Sequence, residues 1–328
     1  MAWLVTSDSF DQNSYALGEI KSLVIEPGSL IGLGEKMNRL NQSSPYIERK
    51  ELEIIVAGDV MLGRTVNRRQ IANGWDWALR EIASEMAMAD WTIVNLEAPL
   101  IKDCPPTDEG MIFCGDARSV EGLKVAGVGA VTLANNHILN YGVAGLEETK
   151  EVLREAGIEM VGESGQGNGS LVVKEIDGIR LGLLGFDGVS QVLDEEEVIK
   201  QIYQTKRENR VDFMIVTIHW GVEYEFKPRE WQRQMAGYMA EFGADAIIGH
   251  HSHWVGERAR IGAVGVPTYY SLGNLVFDQM WSEQTQKGLV VKLKLDKRGR
   301  LREVWERPVR IYDYGQPRWD GEWELVGL

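Results

Sequence analysis

The chain has 328 residues, 44% hydrophobic and 26% charged with 36 glycines, the composition of a folded globular protein rather than a disordered, collagen-like or disulfide-rich one. Its formal net charge of −14, with no basic stripe, excludes a nucleic-acid backbone as natural partner, since that role needs clustered Lys and Arg. A small anionic substrate stays compatible with this charge where a bound cation reverses the local field.

The N-terminus "MAWLVTSDSFDQNSYALGEI" lacks a basic n-region leading into an apolar core, and no apolar run approaches about 18 residues. The expectation is therefore no integral membrane segment and a cytoplasmic location for the chain as it stands. Residues 1–50 read as an extension packed on a main domain of 51–328, with "SLVIEPGSLIGLGE" offering two short strands and "NRLNQSSPYIERK" a polar connector. From Glu51, strand-like runs alternate with helical patterns: "LEIIVAGD", a helix near 67–88, "WTIVNLE", a helix near 118–126, "AVTLANNH" and a helix near 144–156. Asp-Gly inside "LVVKEIDGIRLGLLGF" predicts a hairpin. An acidic helix near 194–209, "VDFMIVTIHWG", a helix near 229–242 and "ADAIIGHHSH" then resume the rhythm. The tail, "ARIGAVGVPTYYSLGN" and "GLVVKLKLDKRGRLREVWERPVRIY", reads as antiparallel strands turning at "DKRG". This is an α/β chain. Its two cysteines, Cys104 and Cys114 in "CPPTDEGMIFC", either close a short loop or stay reduced.

Six strand-like runs end in polar residues of an unusual kind: Asp59, then Asn95 and Glu97, then Asn135, Asn136 and His137, then His219, then His250, His251 and His253, and finally Asn274. In open α/β sheets ligands bind beyond the carboxyl ends of the strands, so these residues should meet in one crevice. All five histidines belong to this set, whereas structural or surface histidines would scatter. Alone, His219 would read as a packed core histidine, Asp59 as a helix cap and Asn135 or Asn136 as turn residues; their company changes that reading. His with Asp, Glu and Asn is the donor set of Zn, Mn or Fe, and the absence of cysteine points to a catalytic rather than a closed structural site. In an extended segment His251 and His253 would point to the same side, leaving His250 facing away as a supporting group unless irregular backbone lets it replace His251. Arg64, soon after Asp59, is placed to grip an anionic oxygen in a bidentate way, although a surface salt bridge would serve equally as its role.

The motifs "GDVMLGR", "NLEAPL", "LANNHILNYG", "IHWGVEYE", "GADAIIGHHSH" and "YSLGNLVFDQ", in this order over roughly 51–280, resemble the CapA family, named for poly-γ-glutamate capsule synthesis and belonging to the calcineurin-like metallophosphoesterases. The resemblance implies a four-layer α/β/β/α sandwich holding one or two divalent ions, with Asp59, Glu97, Asn136, His219, His251 and His253 as ligands. Asn95, Asn135, His250 and Asn274 would support them. It further implies metal-assisted hydrolysis in which His137, acting near its natural pKa, protonates the leaving group or holds the developing oxyanion. Two functions follow from it: a phosphoesterase-type hydrolase of a small phosphorylated or anionic compound, or a non-catalytic accessory of poly-γ-glutamate synthesis or export. Family members are often extracytoplasmic. Three positions depart from the pattern: Met61 where a ligand histidine is common, Asn140 where Asp is common, and Ser252 where Pro is common.

Overall fold

The computed structural model describes residues 51–162, 170–208 and 211–327, so the expected extension over 1–50 and its two short strands lie outside the described residues. In chain order the elements begin with β1 (Leu52–Val60), α1 (Arg64–Asn73), α2 (Arg80–Met86), β2 (Trp91–Leu96), β3 (Leu100–Ile101) and β4 (Gly115–Asp116). There follow α3 (Val120–Val125), β5 (Val128–Thr132), α4 (Gly142–Glu155), β6 (Glu159–Val161), β7 (Leu171–Ile176), β8 (Ile179–Asp187) and α5 (Glu195–Glu208). Then come β9 (Phe213–His219), α6 (Glu230–Phe242), β10 (Ala246–His250), β11 (Arg258–Ile261), β12 (Val266–Tyr269) and β13 (Asn274–Val276). The chain closes with β14 (Lys287–Leu295), β15 (Leu301–Tyr312), β16 (Gln316–Trp319) and β17 (Glu324–Val326).

Two large sheets result. One orders its strands β16-β15-β14-β1-β2-β5-β6, with β13 added beside β1 and β17 beside β15; the other runs β11-β12-β10-β9-β8-β7. The β1, β2, β5 and β6 run is parallel, as is β8, β9, β10 and β12, so within each sheet these strands point their carboxyl ends the same way. The Asp-Gly hairpin forms as expected between β7 and β8, with Asp177 and Gly178 both at positive φ. Two expectations need correction. The single helix near 67–88 is two, because Gly74 adopts φ 105° and ends α1, as glycine does at helix termini. The tail is not wholly antiparallel: β14 to β17 are, but β12 runs parallel to β10 and β13 parallel to β1.

The period-two alternation of buried strands sorts the core into three clusters. Ile54, Val56 and Ile93 pack with Leu183, Ile215 and Ile248, joining the facing sides of the two sheets. On its other side the larger sheet sends Ile55, Val94 and Val131 against Ile82, Leu146 and Leu153 of the helices. The smaller sheet sends Met214, Val216 and Ile247 against Val198, Ile202, Met235 and Met239 of α5 and α6. Two glycines just ahead of strand ends are sterically required: a Cβ on Gly58 would meet the Gly273 carbonyl at 2.0 Å, and one on Gly249 the Tyr270 carbonyl at 2.2 Å. Each precedes a polar residue, Asp59 and His250, in the short "GD" and "GH" pairs. Among the described residues no helix is long and apolar enough to cross a membrane.

Candidate metal centre

The strand ends converge. Asp59, Glu97 and His219, all buried, each offer one donor atom within 4.8 Å of the others. Asp59 comes from β1 where its register with β2 slips, a bulge that turns a side chain out of the ladder's regular alternation. Around it, His250 Nδ1 lies 3.1 Å from Asp59 Oδ1 and His253 Nδ1 3.5 Å from Oδ2, while the backbone N–H of His251 donates to Oδ2 at 3.3 Å. His253 Nε2 stands 3.8 Å, and His219 Nε2 4.0 Å, from Glu97 Oε1.

The asparagines orient this cluster. Asn274 Oδ1 is 3.0 Å from His253 Nδ1, which fixes the proton there and turns the bare Nε2 toward Glu97. Asn95 Nδ2 donates to Asp59 Oδ1 at 2.9 Å and to Glu97 Oε2 at 3.2 Å, and Asn135 Nδ2 donates to Asn95 Oδ1 at 3.0 Å. Asn136 Oδ1 lies 2.9 Å from His219 Nε2, across the gap between the sheets. The residues expected at the metal or supporting it therefore stand around one crevice, all of them buried except the half-buried Asn136.

The geometry bears on four points of the sequence reading, deciding some that were open and correcting others. β10 ends at His250, and His251 and His253 then take φ of 94° and 57°, so the two-residue alternation of an extended segment is lost. As a result His250 turns toward Asp59 rather than away, and His251 sits beside His219 with ring centroids 4.8 Å apart. Arg64 is already engaged: it pairs with Asp278, donates to the Gly110 carbonyl at 3.0 Å and lies 4.4 Å over the Phe113 ring. Burial pushes the His137 imidazole down to about 4, so it is neutral at neutral pH instead of titrating near its ordinary value. Met61, fully buried, accepts the Gly63 N–H on its sulfur at 3.0 Å and brings no hard donor to the position where a histidine is common.

Electrostatics prepare the cluster for a cation. Burial would raise Asp59, but its contacts with His250 and His253 outweigh that and hold the carboxyl well below the usual range. Burial first, then the neighbouring Asp59 charge, pushes Glu97 well above it. His219 is lowered well below its ordinary value by burial and then by His251; His251 is lowered to about 4 by burial and then by His253. Neutral imidazoles with an ionised carboxylate are the forms that ligate metal. Glu97 Oε1, His250 Nε2 and His251 Nδ1 are buried without a hydrogen bond, a costly arrangement that a divalent ion would relieve. The residues present therefore fit such an ion.

Sequence reasoning missed four neighbours. Asp187 ends β8 opposite His219 and could have been found by the strand-end rule already applied. Glu223, inside the quoted "HWGVEYE", acts electrostatically on Glu97, His137 and His251. Tyr224 has its ring centroid 6.0 Å from that of His253, and Phe113 stacks on His137 at 4.1 Å. Nothing in the periodicity marked these two. Trp254, next after His253, lines a cavity of about 560 Å³ with Phe226, Val255, Leu289 and Pro308.

Residues 53–279 match the family model described as bacterial capsule synthesis protein PGA_cap. The chain belongs to this family. It is 30% identical over 264 residues to capsule biosynthesis protein CapA of Bacillus anthracis, covering 74% of this chain and 64% of that one. It is 31% identical over 260 residues to PGA biosynthesis protein CapA of Bacillus subtilis strain 168, covering 74% and 67%. This PGA_cap chain thus aligns with about two thirds of the length of those relatives. In fold it is similar to the crystal structure of a hypothetical protein from Thermus thermophilus, at a TM-score of 0.51 and 16% identity, over 81% of this chain and 100% of that one.

Proposed function

We propose that this capsule-synthesis-family protein is a metal-dependent hydrolase of phosphoester type, acting on a small phosphorylated or otherwise anionic compound. The observation that carries the reading is the buried meeting of Asp59, Glu97, His219 and His253, with the half-buried Asn136 beside them, in which Glu97 Oε1 has no hydrogen-bond partner. Asp59, Glu97, Asn136, His219, His251 and His253 would hold one or two ions of Mn, Zn or Fe type, as the mixed nitrogen and oxygen donors suit. His250 is a further donor, given its approach to Asp59. When bound, such an ion supplies Lewis acidity and neutralises charge on the substrate oxygens.

The chain's own groups do the rest. His137 bonds through Nδ1 to Asn140 Oδ1 at 3.1 Å, which leaves Nε2 bare, the atom that would first take a proton from the attacking water and then pass it to the leaving group. Arg64, held by Asp278, contributes its positive field to Glu97 rather than a bidentate grip on substrate. Helices over the outer faces of two apposed sheets support reading residues 51–328 as one domain with the four-layer α/β/β/α architecture of the calcineurin-like metallophosphoesterases.

A second reading is an accessory of poly-γ-glutamate synthesis or export that holds the polyanion without turnover; the names of the Bacillus relatives support the link to capsule and PGA biosynthesis alone. One experiment separates them. Protein stripped with chelator is assayed on an aryl phosphoester with Mn, Zn or Mg restored, alongside Asp59→Asn. Metal-dependent turnover absent from the variant supports the hydrolase. Stoichiometric metal without turnover, together with metal-dependent retention of poly-γ-glutamate, supports the accessory.

A further inference from the structure

We infer that the loop closed by Cys104 and Cys114 is a positioning device for His137, acting through Phe113. The two cysteines are disulfide-bonded across a separation of 10 residues and form a small buried cluster with Ile101. Between them residues 105–112 are exposed, yet Phe113, the last residue before the bond, is only 2% exposed. Its ring lies on the His137 imidazole with centroids 4.1 Å apart and planes 29° apart. Its backbone N–H donates at 2.7 Å to Asn140 Oδ1, the same oxygen that stands 3.1 Å from His137 Nδ1. An amide oxygen only accepts, so His137 must carry its proton on Nδ1 and keep Nε2 bare.

One residue thus covers a face of the imidazole and shares the acceptor that selects its tautomer. The loop that delivers it is anchored at several points, among them an ion pair of Arg68 with Asp108. The disulfide ties its two ends, the Gly115 N–H donates to the Pro99 carbonyl at 2.8 Å, and Arg64 bonds the Gly110 carbonyl at 3.0 Å while lying 4.4 Å over the Phe113 ring. Closing a loop removes conformations from an otherwise exposed stretch, and here the order gained falls on the ring that contacts His137. Phe113 and the disulfide hydrogen-bond none of the proposed ligand side chains; Phe113 does meet Phe277, whose ring centroid lies 4.8 Å from that of His253, so the His253 signal is the control for that second path.

This role rests on the proposed use of His137 as the proton-handling group, but the tautomer can be read without any turnover. The test uses the full chain labelled with ¹⁵N-histidine, stripped of metal and held at one neutral pH. Two-bond ¹H–¹⁵N spectra are recorded for wild type, for the double variant Cys104→Ser with Cys114→Ser, for Phe113→Ala and for Phe113→Tyr, with His137→Gln to assign the signal. The expected result is a single Nδ1–H pattern for His137 in wild type and in Phe113→Tyr, and a pattern averaged between tautomers in the other two. The four remaining histidines should hold their patterns throughout. Where phosphoester turnover is present, kcat should fall about tenfold in the same two variants with KM nearly unchanged, the signature of a misplaced reacting group. An unchanged His137 pattern in both variants would overturn the inference. So would displacement of all five histidines together, which would make the loop a brace for the whole fold. The expected patterns in a protein without turnover would sink the hydrolase reading alone and leave the positioning role standing.

Discussion

The two sheets bring unlike chemistry to the same crevice. The larger one, through β1, β2, β5 and β13, supplies Asp59, Asn95, Glu97, Asn135, Asn136 and Asn274, all carboxylates and amides. The smaller one, through β9 and β10, supplies His219, His250, His251 and His253. Each half is poorly satisfied by itself: Glu97 is raised by burial and by Asp59, while burial and neighbouring imidazoles lower His219 (through His251) and His251 (through His253). Contacts across the gap, such as His250 with Asp59 at 3.1 Å and Asn136 with His219 at 2.9 Å, settle part of this imbalance. What they leave is a buried carboxylate oxygen and two buried ring nitrogens, His250 Nε2 and His251 Nδ1, without partners. The difference between the halves teaches that the apolar layer between the sheets aligns them, and that the polar end gathers a donor set that could hold a cation.

The strongest way to break this pairing is Asp59→Asn, which removes the one carboxylate that meets both His250 and His253. Metal affinity should fall beyond the roughly 10–100-fold typical of losing an outer partner, and any turnover should reach background. Isothermal titration with Mn or Zn reads the affinity. Next in size, metal removal should loosen the tie between the sheets. An ion at about 100 times its Kd stabilises by about 2.7 kcal/mol, so chelator should lower the wild-type Tm by about 5–10 °C. Differential scanning calorimetry should show no such drop in Asp59→Asn.

Asn274→Ala spares every proposed ligand and removes only the acceptor that orients His253. A competition titration against a chromogenic chelator should show metal bound about 10–100-fold more weakly. The smallest effect has the opposite sign. Glu97→Gln should weaken metal binding yet stabilise the metal-free protein by about 1 kcal/mol in urea unfolding, because it removes a buried carboxyl crowded by Asp59. A destabilised metal-free Glu97→Gln would show that Glu97 serves packing more than ligation.

Much of this arrangement was legible in the sequence because parallel strands deliver their last residues to one edge. That rule finds Asp59, Asn95, Glu97, Asn136, His219 and Asn274 without any knowledge of the partner sheet. It fails once the chain leaves the strand: the positive φ at His251 and His253 is set by tertiary packing, so the sides those rings take could not be read from their spacing. Which of its two roles Arg64 takes was open for a related reason. Its partners Asp278 and Gly110 are distant in the chain, and nothing near Arg64 announces that its guanidinium is engaged. The state of His137 depended on burial beneath Phe113, a contact made by a loop with no periodic signal. The pairing of Cys104 with Cys114, left open by their spacing, is settled by the fold.

The most direct test is elemental analysis of wild type, Asp59→Asn and His253→Ala, all purified without chelator. The expected result is about one or two equivalents of transition metal per wild-type chain, falling to about a tenth or less in both variants. A folded wild type carrying only trace metal, or variants that retain the wild-type content, would contradict a metal centre built between the two sheets.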